Sequence, residues 1–201
     1  MNFIKDIAAL EALYGTPGEA SLIKVTPALT PAYRAWIERS RFCVLSTMGA
    51  GGTDGSPRGD VDPVVTIQDD KTLLMPDWRG NQRLDTLRNI VENGHISLMF
   101  MVAGSNTVMR VNGTAKLTAD ASICEQFEQK TRHPKTVIVI TISEVYSQCA
   151  RAVMRAGLWT TGDQSDGLPS VGDMLKEITD GGFDGAIYDA EWPERARNSM
   201  W

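Results

Sequence analysis

Three segments between Ser56 and Ala115 organise the chain: Ser56-Pro57-Arg58-Gly59-Asp60, Leu73-Leu74-Met75-Pro76-Asp77-Trp78-Arg79-Gly80-Asn81-Gln82-Arg83-Leu84, and Val108-Met109-Arg110-Val111-Asn112-Gly113-Thr114-Ala115. In the second segment a strand-like apolar run ends at Pro76, and apolar residues return with helical spacing at Leu84, Leu87 and Ile90. The polar residues from Arg79 to Arg83 therefore lie where a strand leads into the N-terminus of a helix. Free backbone N–H groups and the helix dipole favour an anion there. The two arginines indicate that this anion is a phosphate, because a guanidinium can bind a phosphate with two hydrogen bonds.

The composition is that of a soluble globular protein. The chain has 201 residues, of which 42% are hydrophobic and 22% charged, and this length suffices for one full-sized domain. The net charge of −5 argues against a nucleic acid or an anionic membrane as partner. No apolar run is long enough to span a bilayer, and the first residues lack the basic start and apolar core of a signal peptide. We therefore expect a cytoplasmic protein with no nucleic-acid or membrane partner.

Cysteine and histidine residues are few and scattered. Cys43, Cys124 and Cys149 form no Cys-x-x-Cys pair, so we expect buried thiols in a reducing compartment rather than disulfides or a zinc site. His95 and His133 are the only histidines, which argues against a histidine-dependent triad or metal site. We expect no bound metal, although a site made of carboxylates alone stays open.

Hydrophobic periodicity and capping signals predict the secondary structure. Helices are expected over residues 3–13, 31–40, 82–93, 120–130, 149–156, 171–178 and 191–199, and strands over 42–48, 61–68, 71–75, 95–102, 107–117 and 136–142. The segment 16–29 is expected to be a connector. The glycine-rich segment 49–55 lacks the Gly-Lys-Ser/Thr ending of a nucleotide-binding loop, so we expect a hairpin turn there.

Six strands separated by turns and single helices indicate a fold that is mainly β with flanking helices (α+β), built around a small β-barrel. We expect residues 1–201 to form a single domain. Its N-terminal segment, 1–40, and its C-terminal extension, 149–201, are both expected to be helical.

The order of the three segments resembles that of the pyridoxamine 5′-phosphate oxidase-like flavoproteins, which are split β-barrel homodimers with FMN at the subunit interface. The resemblance covers about residues 33–160. Ser56–Asp60 resembles the strand whose arginine reaches the flavin phosphate, and Leu74–Arg83 resembles the strand-to-helix corner that completes the phosphate site. Met109–Ala115 is similar to the family's hydrophobic-x-Val-x-Gly-x-Ala strand. Cys149–Trp159 further resembles a bacterial subgroup of FMN-dependent enzymes, in which this helix lies near the flavin.

The resemblance implies an antiparallel six-stranded split β-barrel that binds FMN as a homodimer. The residues that it implies for FMN binding are Arg58, Gly59, Asp60, Met75, Pro76, Arg79, Asn81, Gln82, Arg83, Thr107 and Trp159. Arg58 matches the first phosphate-binding arginine of the family. The stretch 81–83 matches a Ser-Arg-Lys stretch, with an arginine in place of the lysine. The alignment needs a gap in this corner, so Arg79 is an alternative to Arg83.

Simpler structural interpretations exist for the same residues. Arg58 is alternatively a solvated surface arginine, and Arg83 an ordinary helix residue paired with Asp77 or Asp85. Arg110 is either exposed or turned into a cleft. The two tryptophans at positions 78 and 159 are alternatively packing residues of the core or of an interface.

We expect an FMN-dependent oxidoreductase that acts on an unidentified small-molecule substrate. A flavin carries the redox chemistry itself, so the lack of an acid–base constellation does not exclude an enzyme, and no catalytic residue is assigned. The alternatives are a non-catalytic flavin, deazaflavin or haem-binding module on the same barrel, and a flavin-free homodimeric interaction protein.

Two departures from the vitamin-making oxidase make pyridoxamine 5′-phosphate a poor candidate substrate. Where that enzyme has a lysine for the substrate phosphate, this chain reads Val61-Asp62-Pro63, and the chain contains no Arg-x-His motif. Asp60 and Asp62 would also repel a phosphorylated substrate.

Overall fold

The centre of the fold is one antiparallel sheet of seven strands. The structure is a computed structural model that describes all residues from 1 to 201. The strands are β1 (Phe42–Gly49), β2 (Gly52–Gly59), β3 (Thr66–Asp69), β4 (Thr72–Pro76), β5 (His95–Met101), β6 (Val108–Thr118) and β7 (Val137–Gln148). Their order across the sheet is β2-β1-β5-β6-β7-β4-β3, so β2 and β3 are edges. The predicted antiparallel, mainly β architecture is confirmed. The prediction of six strands is wrong, because there are seven, and hydrogen bonds do not close the sheet into a ring.

Eight helices flank the sheet: α1 (Ile7–Tyr14), α2 (Glu19–Ile23), α3 (Pro31–Arg39), α4 (Asp85–Glu92), α5 (Ala121–Cys124), α6 (Arg151–Ala156), α7 (Val171–Ile178) and α8 (Gly185–Ser199). Thr30 caps α3 as predicted, because its Oγ1 accepts the N–H of Tyr33 at 3.2 Å. None of the helices is both long and apolar enough to cross a membrane.

The seventh strand comes from the glycine-rich segment that was predicted to be a turn. Only Ala50 and Gly51 form the turn, and β2 pairs with β1 from Gly49 opposite Gly52 to Phe42 opposite Gly59. Glycines carry no side chain, so the alternation that identifies a strand is invisible in the sequence there.

The predicted strand over 61–68 is largely wrong, since only β3 is a strand. Asp60 Oδ1 accepts the N–H groups of Val61 at 2.7 Å and Asp62 at 3.3 Å, which turns the chain before any ladder forms. Val64 then donates its N–H to Ser40 O, at 2.9 Å. The apolar pair at positions 64 and 65 reflects burial in the core, not a strand.

Several helix boundaries also differ from the prediction. α4 begins at Asp85 and not at residue 82, because Gln82 has a φ of +61° and Asn81 Oδ1 accepts the N–H of Arg83 at 3.0 Å. α5 stops at Cys124 instead of residue 130, and the chain turns through positive φ values at positions 130 and 131. α2 lies in the predicted connector, α1 starts later than predicted, and α8 and β7 are longer than predicted.

The core lies on the inner face of the curled sheet. Its fully buried side chains include Leu45, Leu98, Val111 and Ile140, and α3 covers them with Ile37. Cys43 and Cys124 are buried as predicted, but Cys149 is exposed, because it follows the last residue of β7, beyond the part of that strand that is covered.

Candidate functional site

An ion pair joins two strands that are not neighbours in the sheet. Arg58, near the end of β2, places Nη1 2.5 Å from Oδ1 of Asp77, the first residue after β4. β2 is one edge strand, whereas β4 lies next to the opposite edge. The two side chains are only 18% and 19% exposed. The sheet therefore curls until its two ends meet, and this pair of charges bridges the seam.

The rest of the Arg58 guanidinium has no partner within the chain. Its Nε is buried without a hydrogen-bond partner, and Nη2 makes no hydrogen bond either. A buried N–H group without a partner is costly and rare, so its presence points to a missing acceptor. The Nε and Nη2 groups form one flat fork that can hold two oxygens of a phosphate. Arg58 thus fits the phosphate-binding role that its position implies, and it is not a solvated surface arginine.

A second contact crosses the seam beside the ion pair. Trp78 donates its indole N–H to Oδ2 of Asp60 at 2.6 Å, and Gln129 Nε2 reaches Oδ1 of Asp60 at 3.3 Å. The ring of Trp78 also packs edge-on against Trp201, with 5.5 Å between the ring centres. Gly59, between Arg58 and Asp60 at the end of β2, is exposed. Asp60 is therefore an acceptor of hydrogen bonds from its own turn and from the seam.

The corner between β4 and α4 presents its polar residues to solvent. Arg79, Asn81 and Gln82 are exposed, and Arg79 has no ionic partner. Arg83 is 80% exposed and pairs with Asp85 at 2.5 Å, a hydrogen bond that raises the pKa of the arginine. Of the two aspartates weighed from the sequence, Asp85 is thus the partner of Arg83.

The N-terminus of α4 lies against β2. Leu84 occupies the N-cap position and offers no capping side chain, so no side chain satisfies the N–H groups of the first turn. Thr86, in that turn, donates its hydroxyl to Asp54 of β2, two positions before Ser56 and four before Arg58. The uncapped helix end and the Arg58 fork thus both lie along β2, with Asp54 and Arg58 about 13 Å apart at the usual rise of a strand.

The other site residues predicted in β4 are part of the core. Met75 is 1% exposed and belongs to the main core cluster, and Pro76 is buried at the end of the strand. Pro76 also lines a cavity of about 410 Å³ together with Trp78. Four carboxylates line this cavity, from Glu38, Asp60, Asp62 and Glu128, and no lysine or arginine does.

Thr107 and Trp159 form a separate cluster at the turn between β5 and β6. Trp159 donates its indole N–H to the main-chain oxygen of Ser105 at 2.8 Å, and Thr107 donates its N–H to Ser105 Oγ at 3.2 Å. Two strands, β1 and β5, separate β2 from β6, which is a distance of about 14 Å at the usual strand spacing. One chain therefore does not bring the predicted residues into a single cluster. Nothing in the sequence marks Ser105 as the residue that connects Thr107 with Trp159.

Two further side chains near these strands have clear environments. Arg110 is half-buried, with its guanidinium 5.4 Å from the ring centre of Tyr146 and Nη2 3.4 Å from Ser97 Oγ. Cys43 lies opposite Arg58 in the ladder. Burial raises the pKa of its thiol to about 12 against the lowering effect of the Arg58 charge, so this cysteine stays protonated and is no nucleophile.

The family model described as pyridoxamine 5′-phosphate oxidase matches residues 29–149. The chain belongs to this family. The pyridoxamine 5′-phosphate oxidase family is of the flavin-binding, oxidoreductase type, and its matched region contains β1 to β7. No curated protein sequence matches the chain.

Solved structures of limited similarity accompany the family match. HupZ of Group A Streptococcus is 19% identical, with 59% of this chain and 93% of that chain covered and a TM-score of 0.49. An FMN-binding protein from Syntrophomonas wolfei is 16% identical, with coverages of 58% and 88% and a TM-score of 0.42. An F420 reductase is 14% identical, with coverages of 58% and 98% and a TM-score of 0.43.

Proposed function

We propose that this member of the pyridoxamine 5′-phosphate oxidase family is an FMN-dependent oxidoreductase that acts on a small-molecule substrate. The observation that carries the proposal is the free Nε/Nη2 edge of Arg58, with its buried Nε unpaired. FMN ends in one phosphate whose oxygens match this fork. Bound FMN would supply hydride transfer, and the protein would position it and control access of solvent.

Each part of the corner has a role in this proposal. Arg58 binds two phosphate oxygens, and an arginine of the corner, Arg79 or Arg83, supplies a second positive charge. The N–H groups at the start of α4 add hydrogen bonds, and residues 81 and 82 shape the loop that leads to them. Thr107 and Trp159 are proposed to contact the flavin ring.

We propose that a second copy of the chain completes the site. The phosphate-binding and ring-binding residues lie in separate clusters of one chain, and at an interface between two copies one copy would supply the phosphate-binding set and the other the ring-binding set. A single chain also exposes large apolar side chains, among them Met48, Val91, Met154 and Leu158. Light scattering is expected to give twice the chain mass of 22.0 kDa. A monomer that retains flavin would contradict this arrangement.

The proposed substrate carries no phosphate. The cavity beside the seam has four carboxylates and no cationic residue in its wall, so a phosphorylated molecule would be repelled there. We therefore expect slow turnover of pyridoxamine 5′-phosphate. Turnover at about 1–10 per second, a rate ordinary for enzymes, with micromolar substrate would contradict this expectation.

The test of cofactor binding compares FMN, riboflavin and FAD by titration calorimetry. Wild type is expected to prefer FMN, and Arg58→Ala is expected to weaken FMN by at least about tenfold, because each of its two charge-assisted hydrogen bonds to the phosphate contributes about 10- to 150-fold. Riboflavin has no phosphate and should bind both proteins alike. The control is Arg88→Ala, which removes an exposed arginine of α4 that makes no ion pair. Stoichiometric FAD, or equal loss of both flavins in Arg58→Ala, would contradict the proposal.

Activity needs a separate test. Under anaerobic conditions, reduced nicotinamide dinucleotides and a panel of small reductants are added to the flavin-loaded protein. Bleaching of the flavin absorbance by one of them supports an oxidoreductase. No bleaching by any donor would indicate a non-catalytic flavin module, and binding of a deazaflavin in place of FMN would correct the cofactor.

A further inference from the structure

Asp77 holds the guanidinium that the proposed function assigns to a phosphate. Its Oδ1 lies 2.5 Å from Nη1 of Arg58, and the structure gives Asp77 no other cationic partner. A carboxylate and a phosphate are both anions, and here both depend on one positive charge. The charge of Asp77 is therefore expected to change the affinity of Arg58 for a phosphate.

We infer that Asp77 is an internal competitor for the flavin phosphate, and that it sets both the affinity for FMN and the preference for FMN over riboflavin. This inference rests on the proposed function. In the cofactor-free protein Asp77 neutralises Arg58 across the seam. When a phosphate binds the Nε/Nη2 edge, the carboxylate opposes it, so the protein holds FMN less tightly than Arg58 alone would allow.

The position of Asp77 leaves its carboxylate little freedom to move away from Arg58 when a phosphate binds. Its N–H donates to Thr136 O at 3.0 Å, which extends the pairing of β4 with β7 by one residue, and its side chain is only one-fifth exposed. Two anions on one guanidinium in such a partly dry place repel each other more strongly than they would in water. The carboxylate has no hydrogen-bond partner in the chain other than Arg58.

The same contact has a benefit in the cofactor-free protein. Arg58 is also only one-fifth exposed, and without Asp77 its charge would be left unpaired in the seam. Asp77 therefore stabilises the empty site and weakens the filled one. Asp77 is a positioning residue, because it acts on the phosphate through Arg58.

The test replaces Asp77 with asparagine, which keeps the shape and an acceptor oxygen but removes the charge. We expect Asp77→Asn to bind FMN about tenfold more tightly than wild type, while riboflavin affinity is unchanged. A purely structural role of Asp77 would change both affinities together. Asp77→Ser, which is neutral and smaller, carries the same expectation if the asparagine variant does not fold.

Two controls separate this inference from the proposed function. Asp70→Asn neutralises an exposed pair with Arg34 that has no part in the proposed phosphate site, and it should leave the ratio of the two affinities unchanged. In an Arg58→Ala background the phosphate is no longer held beside Asp77, so Asp77→Asn should tighten FMN by a smaller factor than it does in the wild-type background. Suppose that Arg58→Ala weakens FMN alone. The inference is then wrong, although the phosphate site stands, if Asp77→Asn weakens FMN binding, leaves it unchanged, or tightens the binding of both flavins. If Arg58→Ala leaves FMN affinity unchanged, the proposed function itself is wrong.

Discussion

The guanidinium of Arg58 and the carboxylate of Asp77 meet at 2.5 Å across the seam of an open sheet. Their strands, β2 and β4, share no ladder hydrogen bonds. Together with the hydrogen bond from Trp78 to Asp60, this pair ties together the two ends of the curled sheet. The contact therefore has a structural role as well as the proposed role in binding.

The structural role predicts a loss of stability when one charge is removed. Arg58→Ala leaves Asp77 unpaired in a mostly buried place, so the free energy of unfolding of the cofactor-free protein should fall by about 2 kcal/mol. Urea unfolding followed by tryptophan fluorescence measures it. Arg83→Ala is the matched control, because it breaks an exposed pair of the same chemistry and should have little effect. Equal effects of the two variants would show that the seam contact contributes no more to the free energy of unfolding than an exposed ion pair does.

The corner loop predicts a difference between its two arginines. Arg79 has no ionic partner, whereas Arg83 must first leave Asp85 to reach a phosphate. We therefore expect Arg79→Ala to weaken FMN about tenfold and Arg83→Ala to weaken it less, with riboflavin affinity unchanged in both. Calorimetry with both flavins tests this expectation. A larger effect of Arg83→Ala would place the phosphate closer to α4, and no effect of either would remove the corner from the phosphate site.

The bulge between β6 and β7 predicts that one glycine cannot be replaced. The register shifts between Asn112 and Gly113, and a Cβ at Gly113 would lie 2.0 Å from Thr141 O. Gly113→Ala should therefore destabilise the fold by about 3 kcal/mol, because the backbone of β7 would have to move. Gly55→Ala is the control, since a Cβ at that strand position meets no atom within 4 Å. Thermal unfolding of both variants decides the matter, and a tolerated Gly113→Ala would contradict the bulge.

The buried thiol of Cys43 predicts a dependence of stability on alkaline pH. Burial raises the pKa of Cys43 from 9.0 to about 12. Above pH 9 the unfolded chain releases this proton while the folded chain keeps it, so the contribution to stability is complete below pH 9 and is lost towards pH 12. The slope is on the order of 1.4 kcal/mol per pH unit. Cys43→Ala should flatten this part of the pH profile of urea unfolding, and an unchanged slope would contradict the assignment.

Features that depend on a few neighbouring residues could be predicted from the sequence. Thr30 and Pro31 start α3, and the stop after α4 at Gly94, with a φ of +75°, follows from the Asn-Gly pair. The alternation in β6 identified that strand. In each case the residues that identify the element are close neighbours in the sequence. The glycine-rich start of β2 could not be predicted as a strand in this way, because its strand conformation comes from pairing with β1 and not from its own side chains.

The sequence by itself determined most of the strands, the arginine-bearing corner and the family pattern of a flavin-binding fold. Only the tertiary structure decided that Arg58 meets Asp77, that Arg83 meets Asp85, and that Thr107 and Trp159 lie at a different turn. The reason is that an ion pair forms between whichever charges the fold brings within a few ångströms. That approach depends on the curl of a seven-stranded sheet, which brings β2 to β4 although four strands lie between them.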